Sequence, residues 1–390
     1  MEERKSYWQQ IDYTLLFLLF LLMCISLIAV YSGSGQYFPS NPTYFVERQV
    51  IWFIAGLILM VAVMTIDYEL LRSFSIPLYV IGIILLLWVH FGGMVKNGSR
   101  RWIDLGFFEF QPSEFVKIFV IIALSHLLYR ITKEGREKSF ASDVILVGKI
   151  MAVGLPPFFL ILIQPDLGTA LVIGSIMATM VLMSGVTWRM LGLLGSLGVA
   201  GLGFLIWLHN NYFSIFSKVI ESHQMERIYG WLDPRSHEAS YGYQLTEALR
   251  GIGSGQLYGS GFMEGLQSQS GRVPEIHTDF IFTVIGEEFG FIGATVLLVI
   301  YFFMFYRMII IAFSCNNLFG TYLVSGVIGL LVFQIFQNIA MTIGLMPITG
   351  LALPFISYGG SALMTNMLAI GIVLNVNMRT RYYMFETEED

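Results

Sequence analysis

The sequence predicts an all-α, polytopic membrane protein with about ten transmembrane helices. Hydrophobic residues fill 56% of its 390 positions and only 13% are charged, against about 25% in soluble domains. Apolar runs long enough to span ~30 Å of hydrocarbon recur along the whole chain. A soluble core of this length has no room for so much apolar surface. No P-loop, Rossmann glycine pattern or soluble catalytic segment occurs, so nothing points to a nucleotide, haem or flavin cofactor or to a nucleic-acid partner. Any chemistry is expected within the bilayer or at its face.

The spans fall at 13–31, 49–66, 74–91, 113–130, 144–163, 168–187, 190–208, 280–306, 319–343 and 358–378. The first is long enough to cross, and Ala-Val-Tyr-Ser at its end is a poor cleavage site, so it reads as a mature helix and not a signal peptide. Gly154, Pro156 and Pro157 interrupt the fifth, and broken helices survive in bilayers only where protein or a water cavity satisfies the freed backbone groups. With the N-terminus inside, the inner loops hold eleven Lys and Arg, from Arg4 to Arg381, and the short outer loops hold only Arg48, Lys96, Arg100 and Arg101. Both termini are then cytoplasmic.

The one large loop, 209–278, lies between spans seven and eight and is extracytoplasmic. Ile215, Phe216, Val219 and Ile220 share one face, as in a helix lying at the interface. Leu245, Leu249 and Ile252 repeat that spacing, and the Gly-rich run 251–261 is expected to stop the helix. The whole chain, 1–390, forms a single membrane domain, with 209–278 as a structured lid and 386–390 as an acidic cytoplasmic tail. Cys24 and Cys315 give no disulfide or metal-ligand spacing and read as packing residues.

Ionisable groups inside a membrane are costly, and their positions carry the functional signal. Glu114 and Lys117 stand at i and i+3 near the outer end of span four; a local ion pair would explain them equally well. Asp279, Thr283 and Glu287 form a polar stripe on span eight, with ~12 Å between the two carboxylates. Asp279 alone is therefore placed near the outer surface, where the plainer reading is a helix N-cap. Gln334, Gln337, Asn338 and Thr342 share a face, most simply for interhelical hydrogen bonds. Ser357 to Ser361 is a run of small residues suited to close packing. Lys96, Arg100 and Arg101 cluster on the side that disfavours them, which suggests an anionic partner such as phosphate, with Arg48, Arg250 and Arg272 as possible members; headgroup contact is the alternative. Together these describe an outward polar cavity with acid and base groups and a basic rim.

Five stretches resemble the shape, elongation, division and sporulation family of peptidoglycan polymerases. They are Asn97-Gly-Ser-Arg-Arg-Trp-Ile-Asp-Leu-Gly106, Phe110-Gln-Pro-Ser-Glu-Phe-Val-Lys117, Gln164-Pro-Asp-Leu-Gly-Thr-Ala170, Val273-Pro-Glu-Ile-His-Thr-Asp-Phe-Ile-Phe282 with Gly286-Glu-Glu288, and Leu353-Pro-Phe-Ile-Ser-Tyr-Gly-Gly-Ser361. The absence of long cytoplasmic tails is closest to the rod-shape branch. The resemblance implies a ten-helix fold and a glycosyltransferase in the bacterial cytoplasmic membrane that uses lipid II as donor and acceptor. It maps the family's essential carboxylate onto Asp279 and its partner lysine onto Lys117. Glu114, Trp102 and Asp166 fall on other important positions, and His277, Ser357 and Ser361 lie within the motifs. A divalent cation (Mg or Mn) held by Asp279, a class B penicillin-binding protein, other elongation-complex membrane proteins and membrane lipid are the implied partners.

The implied reaction moves a glycosyl group from a diphosphate to a sugar hydroxyl. The hydroxyl must lose its proton, which suits a carboxylate base within ~3 Å. Burial would raise the pKa of Asp279, and Lys117 beside it would lower it. A lipid II flippase and a non-catalytic elongation scaffold are the rival readings.

Overall fold

The computed structural model describes residues 10–35, 37, 41, 43–96, 99–104, 106, 109–219, 222–237 and 241–386, and the side chains of all of these but 95, 96, 218, 219, 223, 237 and 381–386. The chain begins with α1 (Tyr13–Ser34), α2 (Tyr44–Thr65), a short α3 (Tyr68–Ser73) and α4 (Ser75–Gly92). A small sheet follows, β1 (Met94–Lys96), β2 (Ser99–Asp104) and β3 (Glu109–Phe110), and then α5 (Pro112–Lys133), α6 (Phe140–Ile163), α7 (Leu167–Met183) and α8 (Trp188–Asn211). The large loop holds α9 (Phe213–Val219), α10 (Ser222–Leu232), α11 (Tyr241–Gly255) and α12 (Leu266–Gln269). The chain ends with α13 (Ile281–Glu288), α14 (Gly290–Ser314), α15 (Leu318–Thr342) and α16 (Gly360–Glu386).

Among the described residues, nine helices are long and apolar enough to cross a membrane, and α7, with 17 residues, is a shorter apolar tenth. Ten crossings match the sequence expectation. They surround α15 and α16, whose spanning windows are 72% and 83% buried, whereas α8 is only 6% buried and stands at the rim. Phe17, Ile58, Trp188, Phe302 and Phe313 point outward, the apolar surface that hydrocarbon requires. Gln334, Gln337, Asn338 and Thr342 are all buried on α15.

One face of the bundle gathers both chain ends. Asn377 donates to the Gln10 carbonyl at 3.1 Å, Arg307 pairs with Asp12, and Arg379 pairs with Asp67 at 3.3 Å. Asn317, in the α14–α15 turn, donates to Glu69 of α3 at 2.7 Å. The opposite face carries the sheet, the α6–α7 turn and the large loop.

Four expectations need correction. The fifth span is not interrupted: α6 runs continuously through Pro156 and Pro157. Pro157 has no N–H to offer the Val153 carbonyl, and the Tyr79 hydroxyl of α4 donates to that oxygen instead, at 2.8 Å. The eighth span is two helices, because the chain turns at Gly290 with φ +65° to let Gly259 approach its backbone. The stretch 94–110 is not all loop but a three-stranded antiparallel sheet in the order β1-β2-β3. Among the described residues, the polar face of α15 does not bond other helices: Gln337 and Asn338 donate to carbonyls of non-helical segments, whereas the Gly-rich run does stop its helix, α11 ending at Gly255. In the same loop Phe216 is buried and Ile215 exposed, Leu245 is buried and Leu249 exposed, and Ile220 lies outside the described residues. Glu386 ends α16, and the rest of the acidic tail also lies outside the described residues.

Tyr79→Phe leaves the Val153 carbonyl unpaired in an apolar setting, at a cost of about 1–3 kcal/mol. The Tm of the purified protein in detergent is expected to drop accordingly. An unchanged Tm would mean that another donor reaches that oxygen.

Candidate active site

Two irregular segments, 273–280 and 343–359, meet on the face opposite the termini, and side chains from the surrounding helices hold their backbones. Asn338 of α15 donates to the carbonyls of Asp279 at 2.8 Å and Leu351 at 2.7 Å. Ser357 donates to the Thr278 carbonyl at 2.6 Å and accepts from the Leu353 amide at 2.7 Å. Tyr358 donates its amide to the His277 carbonyl at 3.0 Å. Gln337, Tyr301, Ser26 and Gln49 donate to the carbonyls of Pro347, Pro354, Ile356 and Ser357. Glu275 and Phe355 take positive φ, +53° and +65°, a conformation that side chains rarely adopt unless their surroundings impose it. Ser357 is thus a backbone clamp in this structure, not a free ligand.

Asp279 comes just before Phe280, which is the N-cap of α13, so the expected cap role for Asp279 does not hold. Its carboxylate lies deep among protein atoms, although the residue as a whole is half-buried. Gly350, at φ +75°, passes so close that a Cβ there would sit 3.2 Å from Oδ2. Burial, with the charges of Glu275 and Asp166, pushes the Asp279 carboxyl up to about 6 against the pull of Arg227 and Arg101. Arg101 of β2 pairs with Asp166 at 3.3 Å, and Gln111 donates to the same Oδ2 at 3.3 Å. The other oxygen of Asp166 accepts from Thr169 at 3.1 Å and caps α7. Burial also pushes the His277 imidazole down to about 4, so it is neutral at ordinary pH, packed among Tyr37, Phe45 and Tyr358.

Other sequence-predicted residues are placed differently. Lys117 is fully buried and pairs with Glu114 at 2.7 Å, and it is not among the charges acting on Asp279. The i,i+3 spacing lets the two charges satisfy each other locally, so the expected Lys117–Asp279 partnership is absent among the described residues. Trp102 follows Arg101 on β2, where neighbours face opposite ways, and it lines a cavity of about 260 Å³ beside Trp88 and Gly93. Ser361 fixes the sheet to α16, accepting from the Gln111 amide at 3.1 Å and donating to the Glu109 carbonyl at 3.2 Å. Arg48 stacks on Tyr44 and bonds Tyr358, Arg100 and Arg272 are exposed, and Arg250 pairs with Glu247. The Lys96 side chain lies outside the described residues.

Glu287 leaves the proposed acidic stripe altogether. It is fully buried and accepts at 2.7 Å from each of the Gln267 and Ser268 amides, which fixes the start of α12. Glu288 bonds Ser32 and Ser268. Glycines bring α11 against α13: a Cβ on Gly255 would lie 2.0 Å from the Gly286 carbonyl oxygen. Sequence reasoning missed Arg227 entirely. Its only signal is that Arg227 and Trp231 stand four apart on a helix of the loop.

Residues 13–382 match the family model for FtsW, RodA and SpoVE, described as cell cycle protein. The chain belongs to this family. It is 33% identical over 376 residues to the peptidoglycan glycosyltransferase MrdB of Escherichia coli K12, covering 96% of each chain. Stage V sporulation protein E of Bacillus subtilis is 35% identical over 378 residues, covering 95% of this chain and 98% of the relative. Among solved structures, a chain of a peptidoglycan synthase complex that coordinates polymerization and crosslinking aligns with TM-score 0.77 at 29% identity, covering 95% of this chain and 98% of its own. Rod shape determining protein RodA of Thermus thermophilus aligns with TM-score 0.69 at 29% identity, covering 97% and 99%. The ten-crossing bundle is thus the architecture of the FtsW/RodA/SpoVE family, and this member is a multi-pass membrane protein.

Among the described residues, no three His, Cys, Asp or Glu side chains gather as a metal cage. The Asp279 carboxylate alone fits only a hard cation, such as Mg²⁺, that completes its shell with water and substrate phosphates.

The raised pKa of Asp279 has a consequence for stability. Above its folded pKa of about 6 the ionised carboxylate weakens the fold, whereas below the ordinary value of 3.8 both folded and unfolded chains carry the proton and nothing is lost. Asp279→Asn is therefore expected to raise Tm at pH 7.5, with the gain fading as the pH falls toward 4. A lower Tm for the variant at pH 7.5 would contradict the assigned environment.

Proposed function

We propose that this protein is a peptidoglycan glycosyltransferase that polymerises lipid II into glycan strands at the outer face of the cytoplasmic membrane, during cell elongation and shape maintenance. The observation that carries the proposal is Asp279: a half-buried residue on a clamped backbone, its carboxyl pushed up to about 6 with two arginines acting on it. The curated relative from E. coli carries this activity in its name. The excess of Lys and Arg in the loops on the termini face supports an inward orientation of that face and an outward orientation of the site.

In this reading Asp279 accepts the proton of the acceptor hydroxyl as its oxygen attacks the anomeric carbon of the donor sugar. A carboxyl that titrates near neutrality is matched to that task. The bond from the anomeric carbon to the diphosphate breaks, and undecaprenyl diphosphate departs with the bonding electrons. Arg101, itself oriented by Asp166, offers positive charge on the same side as the developing anion. Asp279 is the residue that would hold a divalent cation, and such a cation would supply further charge neutralisation for the leaving group. The buried Glu114–Lys117 pair stiffens the start of α5 beneath the sheet and supports the site indirectly. Lipid II is the substrate this activity requires, and a class B penicillin-binding protein is the crosslinking partner we propose. A solved neighbour works within such a polymerizing and crosslinking complex.

The test supplies purified protein with lipid II and Mg²⁺, alone and with its penicillin-binding partner. Wild type is expected to make glycan polymer, and Asp279→Ala to make none while eluting as the same folded species. If both proteins carry labelled lipid II across vesicles and neither makes polymer, the flippase reading replaces this one. The rate kcat/KM is expected to fall below about pH 6, where Asp279 takes up a proton. Glu275→Gln removes one cause of the raised pKa, so that acid limb should move to lower pH. A limb that stays put would separate it from Asp279.

A further inference from the structure

The loop helix α10 reaches the site without belonging to any motif. Its Arg227 donates through one Nη to the carbonyls of Ile348 at 3.3 Å and Thr349 at 3.0 Å. One turn on, Trp231 donates to the Gly344 carbonyl at 2.9 Å. The Arg227 guanidinium rests on the Tyr241 ring at 5.0 Å, at the start of α11. The α10–α11 crossing is close, since a Cβ on Gly230 would lie 2.8 Å from the Gly242 amide nitrogen. The hairpin therefore grips both sides of Asp279. Its α11 packs through glycine contacts on α13, which starts two residues after Asp279. Its α10 holds the turn whose next residue, Gly350, touches the Asp279 carboxylate.

We infer that Arg227 is a positioning residue for Asp279: by holding the Ile348–Thr349 carbonyls it sets Gly350 against Oδ2 and so fixes where the carboxylate points. The inference rests on the proposed polymerase activity. Two neighbouring carbonyls bonded to one guanidinium cannot shift independently, and this rigidity is what an oriented base needs. Arg227 also brings positive charge to the same carboxylate, so its removal acts on geometry and charge together. Nothing in this arrangement asks Arg227 to touch substrate.

The experiment measures lipid II polymerisation by the full-length protein with its penicillin-binding partner, as separate kcat and KM values. Misplacing a reacting group by about 1 Å costs on the order of 10²-fold in rate. Arg227→Met should lower kcat by about that factor, with KM within about threefold of wild type, because binding is left in place. Arg227→Lys, which keeps charge and N–H donors, should recover about tenfold or more of the loss. Trp231→Phe, which frees only Gly344, should keep kcat within about threefold of wild type. Unchanged kcat in Arg227→Met overturns the inference. So does a rise in KM alone, which would make Arg227 a substrate contact, and so does a lysine variant no better than methionine. If Arg227→Met does not fold, Gly350→Ala tests the same contact by pushing a methyl group at Oδ2, and an intact kcat there overturns it too. A wild type that makes no polymer overturns the proposed function itself, and the inference falls with it.

Discussion

The structure depends on one constraint: irregular backbone inside a membrane protein must find its hydrogen bonds within the protein. Segments 273–280 and 343–359 are non-helical yet lie against the most buried helices of the bundle, α15 and α16. Each unpaired carbonyl in such a place would cost several kcal/mol. The chain meets the constraint with side-chain donors sent from four helices: Ser26, Gln49, Tyr301, Gln337 and Asn338, with Ser357 acting from within. That network is why two strained residues, Glu275 and Phe355, can be held in place.

The catalytic proposal follows from the same network. Because Asn338 fixes the carbonyl of Asp279 and Gly350 abuts its carboxylate, the acid cannot turn away into a local ion pair of the kind Glu114 makes with Lys117. It stays poorly solvated and close to acidic neighbours, and so its pKa is pushed up to about 6. The arginines acting on it come from different parts of the chain, one from the sheet and one from the loop. A base assembled this way needs its loop docked, which gives the large loop between α8 and α13 a structural reason to be ordered.

Much of this was legible in the sequence. The spans and the isolation of Asp279 were readable, because hydropathy and the cost of a membrane carboxylate are local quantities. What escaped depended on contacts between distant residues. Pro156 and Pro157 look like a break until Tyr79, on another helix, is seen to donate to the freed carbonyl. Helical spacing put Glu287 on the Asp279 stripe, but α13 begins only at Ile281, after Asp279, and the glutamate instead accepts from the first amides of α12. Lys117 was assigned to Asp279 by resemblance, whereas its neighbour three residues away claims it. The sheet at 94–110 is too short to show a strand period, and Arg227 carries no pattern at all.

The central claim is that this crossing of irregular segments delivers a single carboxylate to the outer side of the membrane. Its most direct measurement places a cysteine at Asp279, with Cys24 and Cys315 replaced by alanine, and treats intact cells lacking an outer barrier with a membrane-impermeant thiol reagent. The account predicts labelling from outside without permeabilisation. Labelling that appears only once the inner face is opened would contradict it.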